Sequence, residues 1–358
     1  MKTHKIIGLM SGTSLDGLDL AYCHIWEENG TWKFDIKATK SVGYIPEMEV
    51  KLKDAIFLPA DELLQFHNSY GTWLGEQTKI FIQEQNLAVD YIASHGHTTH
   101  HQPQNGLTFQ IGSGQHLSNE VGVPVICDFR TNDVALGGQG APLVPIGDQL
   151  FFGEYDFCLN LGGISNISFD VNGTRMAYDV GLANMGLNYS TRKAGFSYDD
   201  GGQMAKKGTI NQTMLNSLNN LAYYDLPFPK SIGYEWFVEK VVPIIEATDD
   251  TLENILHTHV VHVAEKVAKD ILKNTTKTKN TLLVTGGGAL NNFLIETLQQ
   301  KLGKTVKVMV TPKQIIEFKE ALVFALMGVL RIENKINVLK AVTGAKRDSS
   351  SGVVYLPS

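Results

Sequence analysis

The spacing of apolar residues divides the first half of the chain into strands and helices. Apolar runs over residues 5–10 and 18–26 predict two β-strands, joined by the tight turn SGTSLDG. Further short buried strands are predicted at Tyr91–Ser94 and Pro124–Cys127. Between these pairs of strands, apolar positions recur every three or four residues. That spacing predicts helices over 46–58 and 61–86.

A second series of elements begins near residue 155. DFCLNLGG predicts a strand that ends in a glycine turn, and the following residues predict a hairpin with Asn172-Gly173 at its tip. The clearest helix is predicted over 251–273, and TLLVTGGGALNN predicts a strand, a glycine turn and the start of a helix. A final helix is predicted over 317–333. Strands alternating with helices indicate an α/β protein.

The pattern of a strand, a small-residue turn and a strand occurs at 5–22 and again at 155–170. We interpret this echo as two related lobes that face one another across a cleft, each contributing a loop. We expect the boundary near residue 134, with an N-terminal lobe of residues 1–134 and a C-terminal lobe of residues 135–358. The last helix is expected to pack back on the N-terminal lobe.

Composition narrows the class of protein. The chain has 358 residues, of which 43% are hydrophobic and 19% charged, as in soluble globular proteins. A net charge of -6 without a basic cluster argues against a nucleic-acid partner, and no apolar stretch is long enough to span a membrane. Cys23, Cys127 and Cys158 each lie in an apolar run, which indicates buried free thiols. Because the N-terminus does not resemble a signal peptide, we expect a cytoplasmic protein.

Three loops of small residues are candidates for binding a nucleotide. SGTSLDG offers backbone N–H groups and hydroxyls to phosphate, with two aspartates for Mg²⁺, and LNLGGISN at 159–166 is of the same chemical type. In TGGGALNN, at 285–292, three glycines let the backbone approach a flat ligand closely. Each loop alone is equally consistent with an ordinary turn. Together, in the order phosphate, phosphate and adenosine, they predict an ATP site.

That order resembles the actin–hexokinase–Hsp70 superfamily, and the resemblance extends to one family within it. GLMSGTSLDGLD, HGHTTHHQP, DFRTNDVALGGQGAPLVP, NLGGISN, TGGGALNN and VTGA, between residues 8 and 345, resemble the 1,6-anhydro-N-acetylmuramic acid kinase family. The resemblance implies the two-lobed actin/hexokinase-like (ribonuclease H-like) ATPase fold with an interdomain cleft. It implies ATP and Mg²⁺ as cofactors, and a homodimer.

The implied reaction opens 1,6-anhydro-N-acetylmuramic acid with water and phosphorylates O6, giving N-acetylmuramate 6-phosphate and ADP during peptidoglycan recycling. Two alternatives stay open: a non-catalytic, nucleotide-dependent binding protein of the Hsp70 or actin type, and a kinase for a different amino sugar.

The resemblance assigns roles to residues. Asp179, in DVGLAN, is the candidate general base, and an ordinary helix or turn cap is its alternative. The candidate nucleotide-binding residues are Gly12, Thr13, Ser14, Asp16, Gly17, Asp19, Gly162, Gly163, Gly286, Gly287 and Gly288. The candidate substrate-binding residues are His95, His101, Asp128, Arg130, Asn184 and Glu320.

Two of these groups carry a specific chemical expectation. The Arg130 guanidinium can bind the lactyl carboxylate of a muramic acid through two hydrogen bonds, and Asp128 would orient Arg130 or bind a sugar hydroxyl. A structural ion pair is their alternative. The superfamily usually has an aspartate where Met10 stands. We therefore expect Asp16, Asp19 or Asp179 to hold Mg²⁺.

The motif HGHTTHH suggests a second kind of site. His95, His97, His100 and His101 lie within seven residues, but no HExxH spacing, cysteine or nearby carboxylate accompanies them. A zinc hydrolase is therefore the weakest hypothesis. By resemblance, HGHTTHH forms a loop near the sugar, in which His97 and His100 replace a glutamine and a tryptophan.

The sequence departs from the family pattern on the sugar side. DVGLAN replaces DTGPGN, so that Val180 and Leu182 stand where threonine and proline are common. Asn188 stands where an acidic residue is expected, and Tyr234 in KSIGYE replaces an arginine. The first phosphate loop and LGGQGAPLVP are intact, so ATP use is more strongly indicated than the exact sugar.

Overall fold

The computed structural model describes residues 2–12, Leu15, 17–228 and 230–358. Three predicted nucleotide residues of the first loop, Thr13, Ser14 and Asp16, lie outside this described part. Internal contacts divide the chain into two compact units. Unit 1 comprises Met1–Phe151 and Phe318–Ser358, and unit 2 comprises Phe152–Glu317.

The strands are β1 (Thr3–Ser11), β2 (Leu18–Glu28), β3 (Thr31–Val42), β4 (Tyr91–Ser94), β5 (His97–Gln102), β6 (Leu107–Ile111), β7 (Val125–Cys127), β8 (Phe157–Leu161), β9 (Ile164–Val171), β10 (Thr174–Leu182), β11 (Asn280–Thr285), β12 (Val306–Val310) and β13 (Val353–Tyr355). The helices are α1 (Pro46–Asp54), α2 (Ala60–Glu84), α3 (Gly114–Val121), α4 (Thr131–Ala135), α5 (Pro145–Phe151), α6 (Asn184–Lys193), α7 (Gln212–Asn219), α8 (Tyr234–Trp236), α9 (Val242–Glu246), α10 (Leu252–Lys273), α11 (Asn292–Leu302), α12 (Lys313–Ile332) and α13 (Lys340–Thr343). Short 3₁₀ segments include Ala222–Asp225 and Gly287–Leu290.

The sheets of the two units share one topology. In unit 1 the order is β13-β7-β4-β1-β2-β3, and in unit 2 it is β10-β9-β8-β11-β12. The first three strands of each unit form an antiparallel meander, and two later strands join parallel to the first. The repeated order is that of the ribonuclease H-like fold of actin/hexokinase-type ATPases. This order confirms the predicted fold class. The strand–turn–strand pattern found at residues 5–22 and 155–170 corresponds to the first hairpin of each sheet.

Both faces of the unit 1 sheet are covered, because successive strand residues point to opposite sides. On β1, Ile6 packs in a cluster with the apolar residues of α12, whereas Ile7 packs with residues of α2 and α3. A Cβ atom on Gly8 would lie 1.9 Å from the carbonyl oxygen of Ala321. Only glycine therefore allows α12 to approach β1 so closely.

The division into units differs from the expected boundary near residue 134. The residues after β7 stay in unit 1, since Leu143 and Ile146 of the α5 region pack in the same cluster as α12. Residues from Phe318 onward also belong to unit 1, where β13 pairs antiparallel with β7. The division therefore follows from the burial of these apolar side chains. No linker or change of composition in the sequence marks it.

Most predicted elements are confirmed, with some differences. The last helix starts at Lys313 rather than at residue 317, and HGHTTHH enters strand β5 rather than forming only a loop. Pairing of β5 with β6 explains this difference, since alternate residues of a polar strand can still complete a hairpin ladder. The three cysteines are free and buried, as expected. Among the described residues, no helix has the length and apolar character needed to cross a membrane.

Candidate functional site

The two glycine loops of unit 2 come together at one edge of its sheet. Strands β8 and β11 are parallel neighbours, so their carboxyl ends, which carry NLGG and TGGG, lie side by side. A Cβ atom on Gly286 would lie 2.6 Å from Oδ1 of Asn160 and 2.8 Å from the carbonyl oxygen of Leu161. One on Gly288 would lie 2.6 Å from Cβ of Leu161. Glycine is therefore required for this approach of the loops, whatever they bind.

Asn184, predicted to bind substrate, lies against these loops. Its Nδ2 donates to the carbonyl oxygen of Leu161 at 3.0 Å, and its backbone N–H donates to that of Gly162 at 3.0 Å. The same side chain lies beside Gly288. Asn184 thus connects the start of α6 to both loops.

Asp179, the candidate base, is half-buried on β10 and held by the segment that follows α7. Its carboxylate accepts a hydrogen bond from the backbone N–H of Ile232 at 3.1 Å. Burial raises the pKa of Asp179, and the Ile232 N–H opposes that rise. Ile232 belongs to KSIGYE, so this departing motif contacts the base through its backbone. Tyr234, which replaces the family arginine, begins α8 with 62% of its surface exposed.

In unit 1, Arg130 and His95 form the centre of the predicted sugar-binding group. Nε and Nη2 of Arg130 lie 3.0 and 2.8 Å from Nε2 of His95, while Nδ1 of His95 faces the carbonyl oxygen of Gly96 at 2.8 Å. The proton of the imidazole therefore belongs on Nδ1, and Nε2 accepts from the guanidinium. Burial, and secondarily Arg130, hold the pKa of His95 well below its usual range, so His95 is neutral.

A buried network fixes the other side of Arg130. Its Nη1 donates to the carbonyl oxygen of Gly140 at 2.6 Å. The N–H of Gly140 donates to Asp133, whose carboxylate also accepts from Oγ1 of Thr343, at 2.8 and 2.7 Å. Asp133 is fully buried. The motifs DFR, LGGQGAP and VTGA therefore form one hydrogen-bonded unit around Arg130.

Asp128 does not pair with Arg130 as expected. In the part of the chain that the structure describes, the hydrogen bonds of Arg130 go to His95 and Gly140. Asp128 adopts a left-handed backbone conformation with φ of 59°. It lines a cavity of about 160 Å³ together with His67, Gln110, Tyr355 and His95, the partner of Arg130.

The other histidines of the motif serve separate contacts. His101 is exposed, and its Nδ1 shares a hydrogen bond with Oγ1 of Thr108 at 3.1 Å. His97 is buried near Ser11, and burial lowers its pKa to about 4. Since residues 97–102 form a strand, their side chains alternate between two faces. Among the described residues, no group of three or more His, Cys, Asp or Glu side chains is placed to hold a metal ion.

Glu320 lies in the third turn of α12, not at its start, because the helix begins seven residues earlier at Lys313. The Glu320 side chain reaches solvent, although protein surrounds it closely. Burial raises its pKa, Arg130 and Lys319 lower it, and Asp19 raises it further. Asp19 itself accepts from Oγ of Ser41 at 2.5 Å.

The donor set around Asp19 fits a magnesium ion. Mg²⁺ prefers oxygen ligands and is commonly held by one or two carboxylates, waters and substrate phosphates. Asp19 and Glu320 lie near enough for their charges to interact, so two carboxylates in this region offer ligands of that type. Of the other predicted ligands, Asp179 belongs to unit 2 and Asp16 lies outside the described residues.

Several residues of these networks were not found from the sequence. Asp133 and Thr343 lie in motifs that were recognised, but spacing gives no sign that they share a hydrogen bond across 210 residues. Tyr223, whose hydroxyl donates to the carbonyl oxygen of Asp179 at 2.6 Å, lies outside every motif. No sequence signal could have assigned Tyr223.

The duplicated sheet and the adjoining glycine loops of unit 2 place the protein in the actin/hexokinase-like class of ATPase folds. A family model described as anhydro-N-acetylmuramic acid kinase matches residues 4–357. The chain belongs to this family, which confirms the resemblance seen in the sequence motifs.

Individual relatives match over nearly their whole length. The chain is 34% identical to the anhydro-N-acetylmuramic acid kinase of Aliivibrio fischeri, covering 98% of this chain and 99% of that one. It is 32% identical to the protein of the same name from Sulfurimonas denitrificans, covering 98% of each. A solved structure, the activator of the 2-hydroxyisocaproyl-CoA dehydratase from Clostridium difficile with bound ADPNP, has a TM-score of 0.46 at 13% identity, covering 90% of this chain and 93% of that one.

Proposed function

We propose that the protein is an ATP-dependent kinase that opens 1,6-anhydro-N-acetylmuramic acid with water and phosphorylates O6, in the recycling of peptidoglycan. The observation that carries the proposal is membership of the anhydro-N-acetylmuramic acid kinase family over residues 4–357. The contacts made by Asp179 and Arg130 support it, because the reaction needs a fixed general base and the lactyl carboxylate needs a fixed positive charge.

The reaction consists of two displacements, one at the anomeric carbon C1 and one at the γ-phosphorus of ATP. A water oxygen bonds to the anomeric carbon C1 and gives a proton to Asp179, while the C1–O6 bond breaks. O6 then takes the γ-phosphoryl group from ATP, and ADP leaves. Burial raises the pKa of Asp179 and so makes the carboxylate a stronger base, while the Ile232 N–H favours its ionised form.

Arg130 would bind the lactyl carboxylate. A guanidinium has five N–H donors, and in the described part of the chain three of them are directed at His95 and Gly140. One N–H remains on each Nη nitrogen, and a carboxylate can accept from such donors. A neutral His95 fixes Arg130 without adding a second positive charge.

Within unit 2, the nucleotide would be held by backbone N–H groups, including those of Gly162, Gly163, Gly286, Gly287 and Gly288. Within unit 1, SGTSLDG stays a candidate phosphate-binding loop on the ground of its sequence. Asp19 would hold Mg²⁺, with Glu320 close by. When bound, Mg²⁺ neutralises charge on the phosphates, which is a main requirement of phosphoryl transfer.

Release of ADP, coupled to NADH oxidation, tests the proposal with ATP, Mg²⁺ and 1,6-anhydro-N-acetylmuramic acid. We expect sugar-dependent turnover by the wild type and a loss of at least about 100-fold in Asp179→Asn. Arg130→Lys should raise KM for this sugar far more than KM for ATP. Sugar-independent ATP hydrolysis alone would favour a nucleotide-dependent binding protein, and turnover only with another amino sugar would favour a shifted specificity.

Two further properties are part of the proposal, of which the oligomeric state alone is implied by the family resemblance. We place the enzyme in the cytoplasm, where ATP is available, and assign it a homodimeric state. Light scattering on the purified chain tests the oligomeric state directly, and a monomeric mass at micromolar concentration would contradict it.

A further inference from the structure

Asp179 occupies an irregular position on an edge strand. Strand β10 forms one edge of the unit 2 sheet, and its pairing with β9 shifts register between Asp179 and Gly181. Such a bulge bends the strand and redirects the neighbouring side chains. Backbone groups that face away from the sheet at this edge need partners from elsewhere.

The partners of Asp179 come from residues 223–232. The hydroxyl of Tyr223 donates to the carbonyl oxygen of Asp179 at 2.6 Å, and the N–H of Asp179 donates to the carbonyl oxygen of Lys230 at 3.1 Å. The N–H of Ile232 donates to the carboxylate at 3.1 Å. Backbone and side chain of Asp179 are thus fixed by the same short stretch of chain.

Among these partners, Tyr223 is the one that bonds to Asp179 through its side chain. Contacts with neighbouring residues fix the position of its ring. Tyr223 is 6% exposed, and its ring lies 5.4 Å from that of Trp236. The ammonium group of Lys230 lies over the Tyr223 ring, 4.8 Å from its centre, within the range of a cation–π interaction. These contacts hold the ring so that its hydroxyl points at the carbonyl oxygen of Asp179.

We propose that Tyr223 is a positioning residue, whose hydroxyl fixes the backbone of Asp179 and so the direction in which its carboxylate points. The inference rests on the proposed role of Asp179 as general base. A displacement of the order of 1 Å in a catalytic group can cost about 100-fold in rate, so one hydrogen bond at this position has a measurable effect.

Tyr223→Phe removes the hydroxyl and leaves the ring contacts. We expect kcat to fall about tenfold or more, while KM for ATP and for the sugar changes less than twofold. Loss of one hydrogen bond should also make amide hydrogen exchange at Asp179 and Ile232 about fivefold faster. The matched control is Tyr189→Phe, because the Tyr189 hydroxyl donates an equally short bond, 2.6 Å, to the exposed Glu246. The control should change neither quantity.

Lower kcat with unchanged exchange at Asp179 and Ile232 would overturn the positioning role, and so would faster exchange with unchanged kcat. If the wild type shows no sugar-dependent ADP release, the proposed function fails. The exchange rates would then decide separately whether the Tyr223 hydroxyl holds Asp179, with unchanged rates overturning the inference.

Discussion

Gly286 and Gly287 are adjacent in the loop TGGGALNN, but only Gly287 has a backbone and surroundings that accept a side chain. Gly286 has φ of 78° and ψ of 165°, a backbone region that is nearly closed to other residues and costs about 1–3 kcal/mol when they occupy it. A Cβ atom there would also lie 2.6 Å from Oδ1 of Asn160 and 2.8 Å from Leu161 backbone atoms. At Gly287, φ is not positive, and the nearest atom to an added Cβ is Nδ2 of Asn184 at 3.8 Å.

Gly286→Ala should therefore lower the free energy of unfolding by roughly 2–4 kcal/mol, from backbone strain together with displacement of the loop at Leu161. Gly287→Ala should leave it within about 1 kcal/mol of the wild type, and it can raise it slightly by restricting the unfolded chain. The assay is urea unfolding followed by circular dichroism, with the midpoint and slope fitted separately. Equal destabilisation by the two variants would refute the loop geometry described here.

Two further predictions concern buried polar groups. Thr343→Val removes a donor to the fully buried Asp133. It should cost about 1.5–3 kcal/mol in urea unfolding and raise KM for the sugar, because Gly140 and Arg130 lose support; an unchanged stability would contradict this. Burial lowers the pKa of His259 to about 4 from 6.5, so the folded protein favours the neutral ring. The resulting stability is complete above pH 6.5 and is lost as pH falls toward 4, by roughly 2 kcal/mol at pH 5. In His259→Gln, the free energy of unfolding should fall less between pH 8 and pH 5 than in the wild type. An equal fall in the two proteins would contradict this prediction.

The sequence predicts local structure well where periodicity and turn chemistry agree. The hairpin of β9 and β10 turns at Asn172-Gly173, with φ of 50° and 79° as such a turn requires, and both strands follow from the pattern. Strand Tyr91–Ser94 is predicted to the residue. These elements depend on residues close together in the chain, so the information needed is local.

Long-range arrangement is harder to predict. Helix α12 packs closely on β1 because Gly8 leaves room for the backbone at Ala321. No sequence pattern relates these two distant residues. The motif resemblance named Asp179 and Arg130 but could not give their partners, since Tyr223 and Thr343 reach them through tertiary contacts. For Asp128, the structure does not show the first of its two predicted roles, and binding of a sugar hydroxyl stays a prediction. Its place beside Arg130 in DFR suggested a pair, but Asp128 instead lines a cavity with His95, the residue that Arg130 binds.

Mass spectrometry of the products formed from ATP and 1,6-anhydro-N-acetylmuramic acid in ¹⁸O-labelled water is the most direct test of the proposed reaction. We predict a sugar product that has gained one phosphoryl group and one water, with the label in the sugar and none in the phosphate. Its formation should be lost in Asp179→Asn. Labelled inorganic phosphate with unchanged anhydro sugar, or a phosphorylated sugar whose anhydro bridge is intact, would contradict this prediction.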